Sequence, residues 1–552
     1  MKEKPMSSER LRIIVIGLDG ATYDLILPWV KEGYLPTFER LMKEGAWGEL
    51  QSTMPPLTGP AWSSFITGKN PGKHGIYDFM NRHPEGYHWH TINATHRDGR
   101  SLWRLLSDQG RRVVVFNVPV TYPPEPVNGV MISGYLTPQK ASDFIFPPSL
   151  EKDLYEKVGP HSTFFPGIVY SLGRENKFIR AVDEMTDRTI QVMDFLLDQV
   201  PWDFFMGVFQ SPDLLQHCLW KDLAHPVFGK AVRDQYQKID RYLENLLPRL
   251  GGQTILFILS DHGFGGLKRQ VFLNTWLLSK GFLKLKSTPM VKAKKAIFKA
   301  GVVPMKVHKL SIRLGMDLSD QLAERQQGLF SFLSRAVLSF EDVDWEKTVA
   351  YAIGNKGIYI NLEGREPKGC VKPGTHYQDV LDRIQGELYQ MRDPKTNEPI
   401  IDRVFLKEEI YSGPHLSQAP DLFPVSKEFQ YHLRGDYLFM SNHWIEDLWL
   451  AYGFHRPDGI FMAFGPGIKK GHHVEGKRII DLTPTILPLM GVPIPTDIDG
   501  KCSLDLFDET FLESFTPSYC QPPLEEKGAE KVLSEKEEME IKKSLKSLGY
   551  LG

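Results

Sequence analysis

Five stretches of the chain carry side chains suited to metal or phosphate chemistry. Asp19 stands in IVIGLDGA, directly after an apolar run and before Gly20. Asp261 and His262 follow the run TILFIL in LSDHGFG. Asp213 and His217, in SPDLLQH, are spaced i, i+4, which puts both on one face of a helical turn where a single ion could bridge them. His455 lies in AYGFHRPDGIFMAFGPGI, just ahead of another apolar run. Thr58, in TMPPLTGPAWSSFITG, occupies a Pro- and Gly-flanked turn before an apolar helix. A hydroxyl there meets free backbone N–H groups and the positive end of the helix dipole, which suits a phosphate. Carboxylate oxygen and imidazole nitrogen both bind zinc and similar divalent ions. A bound ion could also turn the threonine alcohol into a nucleophile.

Each stretch has a plainer reading when taken alone. Asp19 reads as a helix cap, Asp213 and His217 as an ordinary polar helix start, and Thr58 as an N-cap. Only the adjacent Asp261 and His262 favour a metal by themselves. With 17 histidines in the chain, His455 competes with His443, His472 and His473.

The elements that must position these residues alternate along the chain. Arg12–Gly17, Arg112–Asn117, Phe204–Phe209, Thr254–Leu259 and Gly459–Phe464 read as buried strands. Thr37–Glu44, Ser101–Gln109, Phe178–Gln199 and Ala231–Arg249 read as helices. Such alternation predicts an α/β fold with a mostly parallel sheet covered on both faces, whose chemistry gathers at the carboxyl ends of the strands. From His262 to Met316 there is no Asp or Glu, while Lys and Arg are frequent. This predicts an inserted basic helical cap, read either as a solvated face or as a surface for anionic substrate or lipid headgroups. Thr348–Leu362 reads as a hairpin and Tyr377–Met391 as a helix. The expected divisions are a catalytic core over 10–265, the cap over 266–410, the rest of the core over 411–507, and a tail over 508–552. Within the tail, Ser534–Leu548 has the spacing of an amphipathic helix.

Composition excludes several classes. The net charge of −2 gives no global basic field for a nucleic-acid-binding module. The four cysteines form no C-x-x-C pair and are too few in 552 residues for a disulfide framework. The apolar run near the N-terminus is short and ends in Asp19, unlike a signal peptide, and no stretch has the length of a membrane span. A cytoplasmic, reducing location is the expectation, with peripheral membrane contact through the basic cap left open.

In order, these stretches resemble the alkaline phosphatase superfamily and, within it, the type I phosphodiesterase/nucleotide pyrophosphatase family. The resemblance spans about Arg12 to Lys501, interrupted by the insertion. It rests on VIGLDG, the Thr58 turn ending in FITGKNPGKHGI, SPDLLQH, LSDHGFG, GFHRPDGIFMAFGPGI, and DLTPTILPLMGVPIP with its trailing DGK. It implies an alkaline-phosphatase-like fold and two divalent ions about 4 Å apart. Zinc is the family's usual metal, with manganese or iron open. Asp213, His217 and His455 would hold one ion; Asp19, Asp261, His262 and the Thr58 oxygen would hold the other. Thr58 would attack phosphorus in line, and the resulting phospho-threonine would then be hydrolysed.

The chain departs from the family pattern at Ala61, three residues after the nucleophile, where the resemblance implies an Asn contacting the phosphoryl oxygen. It also lacks the sulfatase signature, and His74 in GKHGI is assigned to a structural turn. The sequence thus points to a metal-dependent hydrolase of small phosphate esters, of the phosphodiesterase or nucleotide pyrophosphatase kind. A phosphotransferase or phosphomutase on the same fold is the alternative, against which a Thr nucleophile argues. A catalytically inactive metal- or ligand-binding protein is the alternative of another class.

Overall fold

The RIIVIGL run forms a strand buried on both faces, and the chain lays a nine-stranded sheet around it. The computed structural model describes residues 11–83, 86–159, 170, 173–313, 337–355, 357–449, 451–524 and 531–547. In chain order the strands are β1 (Arg12–Leu18), β2 (Ala46–Gln51), β3 (Val113–Phe116), β4 (Gly129–Ile132), β5 (Ile145–Phe146), β6 (Phe204–Phe209), β7 (Thr254–Leu259), β8 (Asp458–Phe464) and β9 (His472–Arg478). Their order across the sheet is β9-β2-β8-β7-β1-β6-β3-β4-β5. The strand pairs at its centre, β7-β1-β6-β3-β4, are parallel. β8 runs antiparallel to both of its neighbours, and β5 is antiparallel to β4.

Because side chains alternate along a strand, β1 feeds two cores. Ile14, Ile16 and Leu18 join one apolar cluster, while Ile13 and Val15 join the other. Helix α1 (Thr58–Thr67) covers the second face with Ala61, Trp62, Phe65 and Ile66. Helices α2 (Ser211–Leu219) and α3 (Phe228–Leu246) cover the first with Leu215, Val232 and Tyr236. The register fixes where the strands end: Leu18 is level with Phe209, and Gly17 is level with Val208 and Leu259. The residues that follow β1, β6 and β7 therefore emerge side by side at one edge.

The inserted lobe has its own core, from Val271 to Ile445. It contains the expected hairpin, Ala350–Ile353 with Gly357–Ile360, and a helix over Thr375–Tyr389. The hairpin is half of a four-stranded sheet completed by Leu422–Ser426 and Ile401–Leu406. Tyr431–Arg434 and Ile445–Asp447 pair with Arg269–Phe272 in a further sheet of the lobe. The next strand, Gly453–Arg456, pairs with Gly263–Gly266. Short runs such as LFPVS and YHLR give too little periodicity to show their partners. Helices α4 (Pro289–Lys299) and α5 (Pro304–Arg313) form the basic part of the lobe.

In the tail, α6 (Glu535–Ser547) packs on the main body, burying Ile541 and Leu545 in the core that also holds Tyr236. Its Ser544 hydroxyl lies 3.4 Å from that of Tyr135. Among the described residues, no helix is long and apolar enough to cross a membrane.

Candidate active site

The strand ends bring the seven sequence-selected residues together. Asp19 follows β1, Asp261 and His262 follow β7, and Asp213 and His217 lie on α2 just after β6. His455 arrives from the Gly453–Arg456 strand, which pairs antiparallel with Gly263–Gly266 and sets His455 opposite Phe264. All seven are nearly inaccessible to solvent, Asp213 being the most open at 6%. His443, His472 and His473 lie elsewhere, with His473 on the edge strand β9 against Trp47.

The plainer readings of these residues do not hold. The N-cap after β1 is Thr22, which accepts from the Asp24 N–H, so Asp19 caps nothing. The N-cap position of α1 is Leu57. Thr58 is the first helical residue, and its Oγ1 lies 3.1 Å from His262 Nε2 instead.

Two clusters of carboxylate and imidazole result. In one, Asp213 Oδ1 lies 3.3 Å from both His217 Nε2 and His455 Nε2, and the two nitrogens are 3.1 Å apart. In the other, His262 Nε2 lies 3.6 Å from Asp19 Oδ1 and 3.3 Å from Asp261 Oδ2. Within each trio the ligand atoms fall within 4.8 Å of one another. The His262 and His455 rings stack at 3.5 Å, so the clusters adjoin.

Hydrogen bonds at the far side of each ring fix the tautomers. His217 Nδ1–H donates to Gly453 O at 3.1 Å, His455 Nδ1–H to Pro56 O at 2.8 Å, and His262 Nδ1–H to Gly263 O at 3.0 Å. A carbonyl oxygen can only accept, so in the neutral rings each Nε2 carries the lone pair. In the first cluster two lone pairs and a carboxylate oxygen then converge with no donor between them. Asp19 Oδ1, Asp213 Oδ1 and Asp261 Oδ2 are buried and make no hydrogen bond among the described residues. Such a constellation is costly unless a cation, or a proton standing in for one, sits at its centre.

The local electrostatics carry the same strain. Burial and the neighbouring Asp261 and Asp213 charges push the Asp19 carboxyl well up. Burial and Asp213 do the same to Asp261. Burial would also raise Asp213, but the neighbouring His217 and His455 outweigh it and hold that carboxyl low. Burial lowers His262, helped by His455, and lowers His455. Divalent cations fit this all-oxygen-and-nitrogen donor set, and their charge would keep the carboxylates ionised.

Several supporting residues escaped the sequence reading. Trp62 Nε1–H donates to Asp19 Oδ2 at 3.3 Å. Its ring lies so close to Gly17 that a Cβ there would come within 2.7 Å of it, so the strand must carry glycine. Gly20, at φ +67°, turns its N–H onto Asp261 Oδ1 at 3.3 Å. Gln216 donates to Gly20 O at 2.8 Å and lies 3.1 Å from the Tyr236 hydroxyl. The inserted lobe contributes His432, whose ring is 4.3 Å from Phe454 and whose Nε2 is 2.9 Å from Asn355 Oδ1. None of these lies in a pattern with ligand spacing, so the sequence carried no signal for them.

Ala61 is fully buried in the core under the sheet and has no polar atom to offer a phosphoryl oxygen. The backbone N–H groups of Thr58 and Gly59, at the start of α1, make no hydrogen bond among the described residues. His74 is fully buried and accepts the Ile76 N–H at Nδ1, 3.1 Å away, leaving Nε2–H for Ser64 Oγ at 2.9 Å. It holds the turn after α1 and lies outside both clusters.

The site is thus a helix-terminal threonine and two carboxylate–imidazole clusters at the carboxyl edge of a largely parallel α/β sheet. Residues 13–446 match the family model described as type I phosphodiesterase / nucleotide pyrophosphatase, and the chain belongs to that family. Among curated proteins, human arylsulfatase K is 35% identical over 63 residues, covering 11% of this chain and 12% of that protein. Among solved structures, human ectonucleotide pyrophosphatase / phosphodiesterase 5 is 15% identical, with 90% of this chain and 100% of that chain covered, at a TM-score of 0.48. An inactive form of the murine protein in complex with AMP is 15% identical, with 91% and 100% covered, at a TM-score of 0.49.

Proposed function

We propose that the protein is a metal-dependent phosphodiesterase or nucleotide pyrophosphatase that works through a phospho-threonine intermediate. The observation that carries this reading is the convergence of Asp213 Oδ1, His217 Nε2 and His455 Nε2 beside a second such cluster that includes the Thr58 hydroxyl. Asp213, His217 and His455 would hold one divalent ion; Asp19, Asp261, His262 and Thr58 Oγ1 would hold the other, with zinc the favoured metal. When bound, such ions supply Lewis acidity toward the phosphoryl oxygens and lower the pKa of coordinated hydroxyl groups.

The chain's own residues do the rest. Thr58 is the only hydroxyl-bearing residue of the seven, and the start of α1 points its backbone N–H groups where a phosphoryl group would sit. Thr58 Oγ attacks phosphorus, the P–O bond to the leaving alcohol or phosphate breaks, and the threonine carries the phosphoryl group. Water then displaces Thr58 and releases the phosphate product. The free N–H groups of Thr58 and Gly59 take the place of the side-chain contact that Ala61 cannot make, as oxyanion donors. Trp62 and Gly20 hold Asp19 and Asp261 in place, the part that outer hydrogen bonds commonly play around metal ligands.

The test is a metal-supplemented comparison of bis-(p-nitrophenyl) phosphate with p-nitrophenyl phosphate. The proposal expects the diester to be hydrolysed faster and a phosphorylated Thr58 to be trapped by acid quench. Faster monoester turnover would overturn the diester assignment, and a label trapped elsewhere would overturn the nucleophile.

A further inference from the structure

Helix α4 is fastened to the inserted lobe along one side only. Thr288 Oγ1 accepts the Val291 N–H at 3.3 Å and caps its start. Val291 is buried, and Phe298 meets the Phe439 ring edge-on at 6.0 Å. Lys294 turns inward as well, its Nζ 2.9 and 3.0 Å from the two Asp342 carboxylate oxygens. Lys294 is therefore a structural ion pair and leaves the set of cap lysines available to an anion.

The opposite side of α4 has an unusual composition. Its exposed positions after Pro289 are Met290, Lys292, Ala293, Lys295, Ala296, Ile297 and Lys299. At helical spacing, Met290 and Ile297 (i, i+7) share one flank, Lys292, Lys295 and Lys299 share the other, and the alanines lie between them. No acid, amide or hydroxyl occurs on this face. An ordinary water-facing helix mixes signs, as α3 does with exposed Lys230, Arg241, Glu244 and Asn245. Lys292, Lys295 and Lys299 form no ion pair among the described residues, and the nearest acids in sequence are Asp261 and Asp317. The apolar character continues past the helix: Met290 is 69% exposed, Val302 49% and Leu310 57%. Lys306, on α5, is exposed too.

We propose that this face of α4, with Val302 and Leu310, docks in the plane of an anionic lipid bilayer. Met290, Ile297, Val302 and Leu310 would enter the headgroup boundary, and the lysine row would meet the lipid phosphates. The charge pattern selects this occupant. An apolar face rimmed on one side by lysines without an ion pair among the described residues repels a second copy of itself, whereas it complements a negatively charged surface.

The test is sedimentation of the full-length protein with vesicles of phosphatidylcholine alone or with 30% phosphatidylserine. Binding is expected to the anionic vesicles, weakening as salt rises. Lys292→Ala/Lys295→Ala/Lys299→Ala should lower the partition coefficient about a hundredfold, at about fivefold per lysine. Met290→Ser/Ile297→Ser should also release the protein, while Lys294→Ala tests folding of the lobe. Hydrolysis of soluble bis-(p-nitrophenyl) phosphate should be unchanged in the surface variants, which confirms their fold independently of the lipid result. Equal binding to neutral vesicles, or none to anionic ones, would overturn the proposal. So would salt-insensitive self-association that Met290→Ser/Ile297→Ser abolishes, since the occupant would then be a second copy.

Discussion

At the scale of single residues, the decisive feature is which partner each polar atom has. Thr58 Oγ1 serves His262, not the start of its own helix, and Asp19 leaves the capping to Thr22. Sequence could select these residues but could not separate ligand from cap, because both readings use the same residue types at the same strand ends. The structure takes these residues out of the capping role through hydrogen bonds made 200 residues or more away in the chain, such as Thr58 with His262 and His217 with Gly453. Thr58→Ala is expected to lower kcat about a thousandfold or more, with metal content retained; Thr58→Ser should recover part of the rate. Activity left intact in Thr58→Ala would transfer the nucleophile to another hydroxyl. Ser63 and Ser64 are poor substitutes, since both are fully buried and Ser64 is engaged by His74. Trp62→Phe removes the donor to Asp19 while keeping most of the ring against Gly17. Metal affinity or activity should fall about 10- to 100-fold, as for other groups that orient a ligand; titration with a competing chelator reads this directly.

At the scale of elements, the core strands were legible because they are unbroken apolar runs, and the helices between them carry a clear 3.6-residue period. The inserted lobe was legible only in parts. Its hairpin and the Thr375–Tyr389 helix are local, but its sheet partners lie as far apart as Arg269 and Tyr431, a pairing that no local pattern encodes. Its interior is tied by a charge network that also left no trace in spacing. Asp421 is fully buried, with Arg365 Nη2 2.6 Å and Lys407 Nζ 2.8 Å from its oxygens and the Tyr377 hydroxyl donating at 2.7 Å. Burial alone would raise this carboxyl, but Arg365 and Lys407 overcome it and hold it at about 2. Against an ordinary value near 3.8, this contributes about 2 kcal/mol to stability at neutral pH. A depressed carboxyl stabilises above its unfolded value, and the contribution fades as pH falls from about 4 to about 2. Stability followed by tryptophan fluorescence should therefore fall over that window, as acid unfolding sets in. Asp421→Asn should remove this part of the pH dependence and lower stability at pH 7 by more than 2 kcal/mol, about 3–5, because Arg365 and Lys407 lose their buried partner.

At the scale of the whole molecule, the two clusters are where distant parts of one chain meet. Their carboxylates and imidazoles come from the end of the first strand of the sheet, from α2, from the turn after β7, and from a strand that follows the inserted lobe. Sequence showed that these pieces recur in a family order, but only the level strand ends, Leu18 with Phe209 and Gly17 with Leu259, explain why they converge. The unfolded chain has no preformed site for a divalent ion, so ion binding is folding free energy. At a free-ion concentration a hundred times Kd, one site adds about 2.7 kcal/mol. Removing metal with a chelator should accordingly lower the Tm of the full-length protein, and adding back zinc should raise it with the logarithm of the free-ion concentration. Asp213→Asn should lose one of the two ions and keep a partial chelator shift, since Asp19, Asp261 and His262 remain. Asp213→Asn with Asp261→Asn should be insensitive to chelation, because the first cluster then keeps no carboxylate and the second only Asp19. A wild-type Tm that does not move when metal analysis shows the protein stripped would mean that packing alone holds the strand ends together, and the buried, unpartnered oxygens of Asp19, Asp213 and Asp261 would then need another source of compensation.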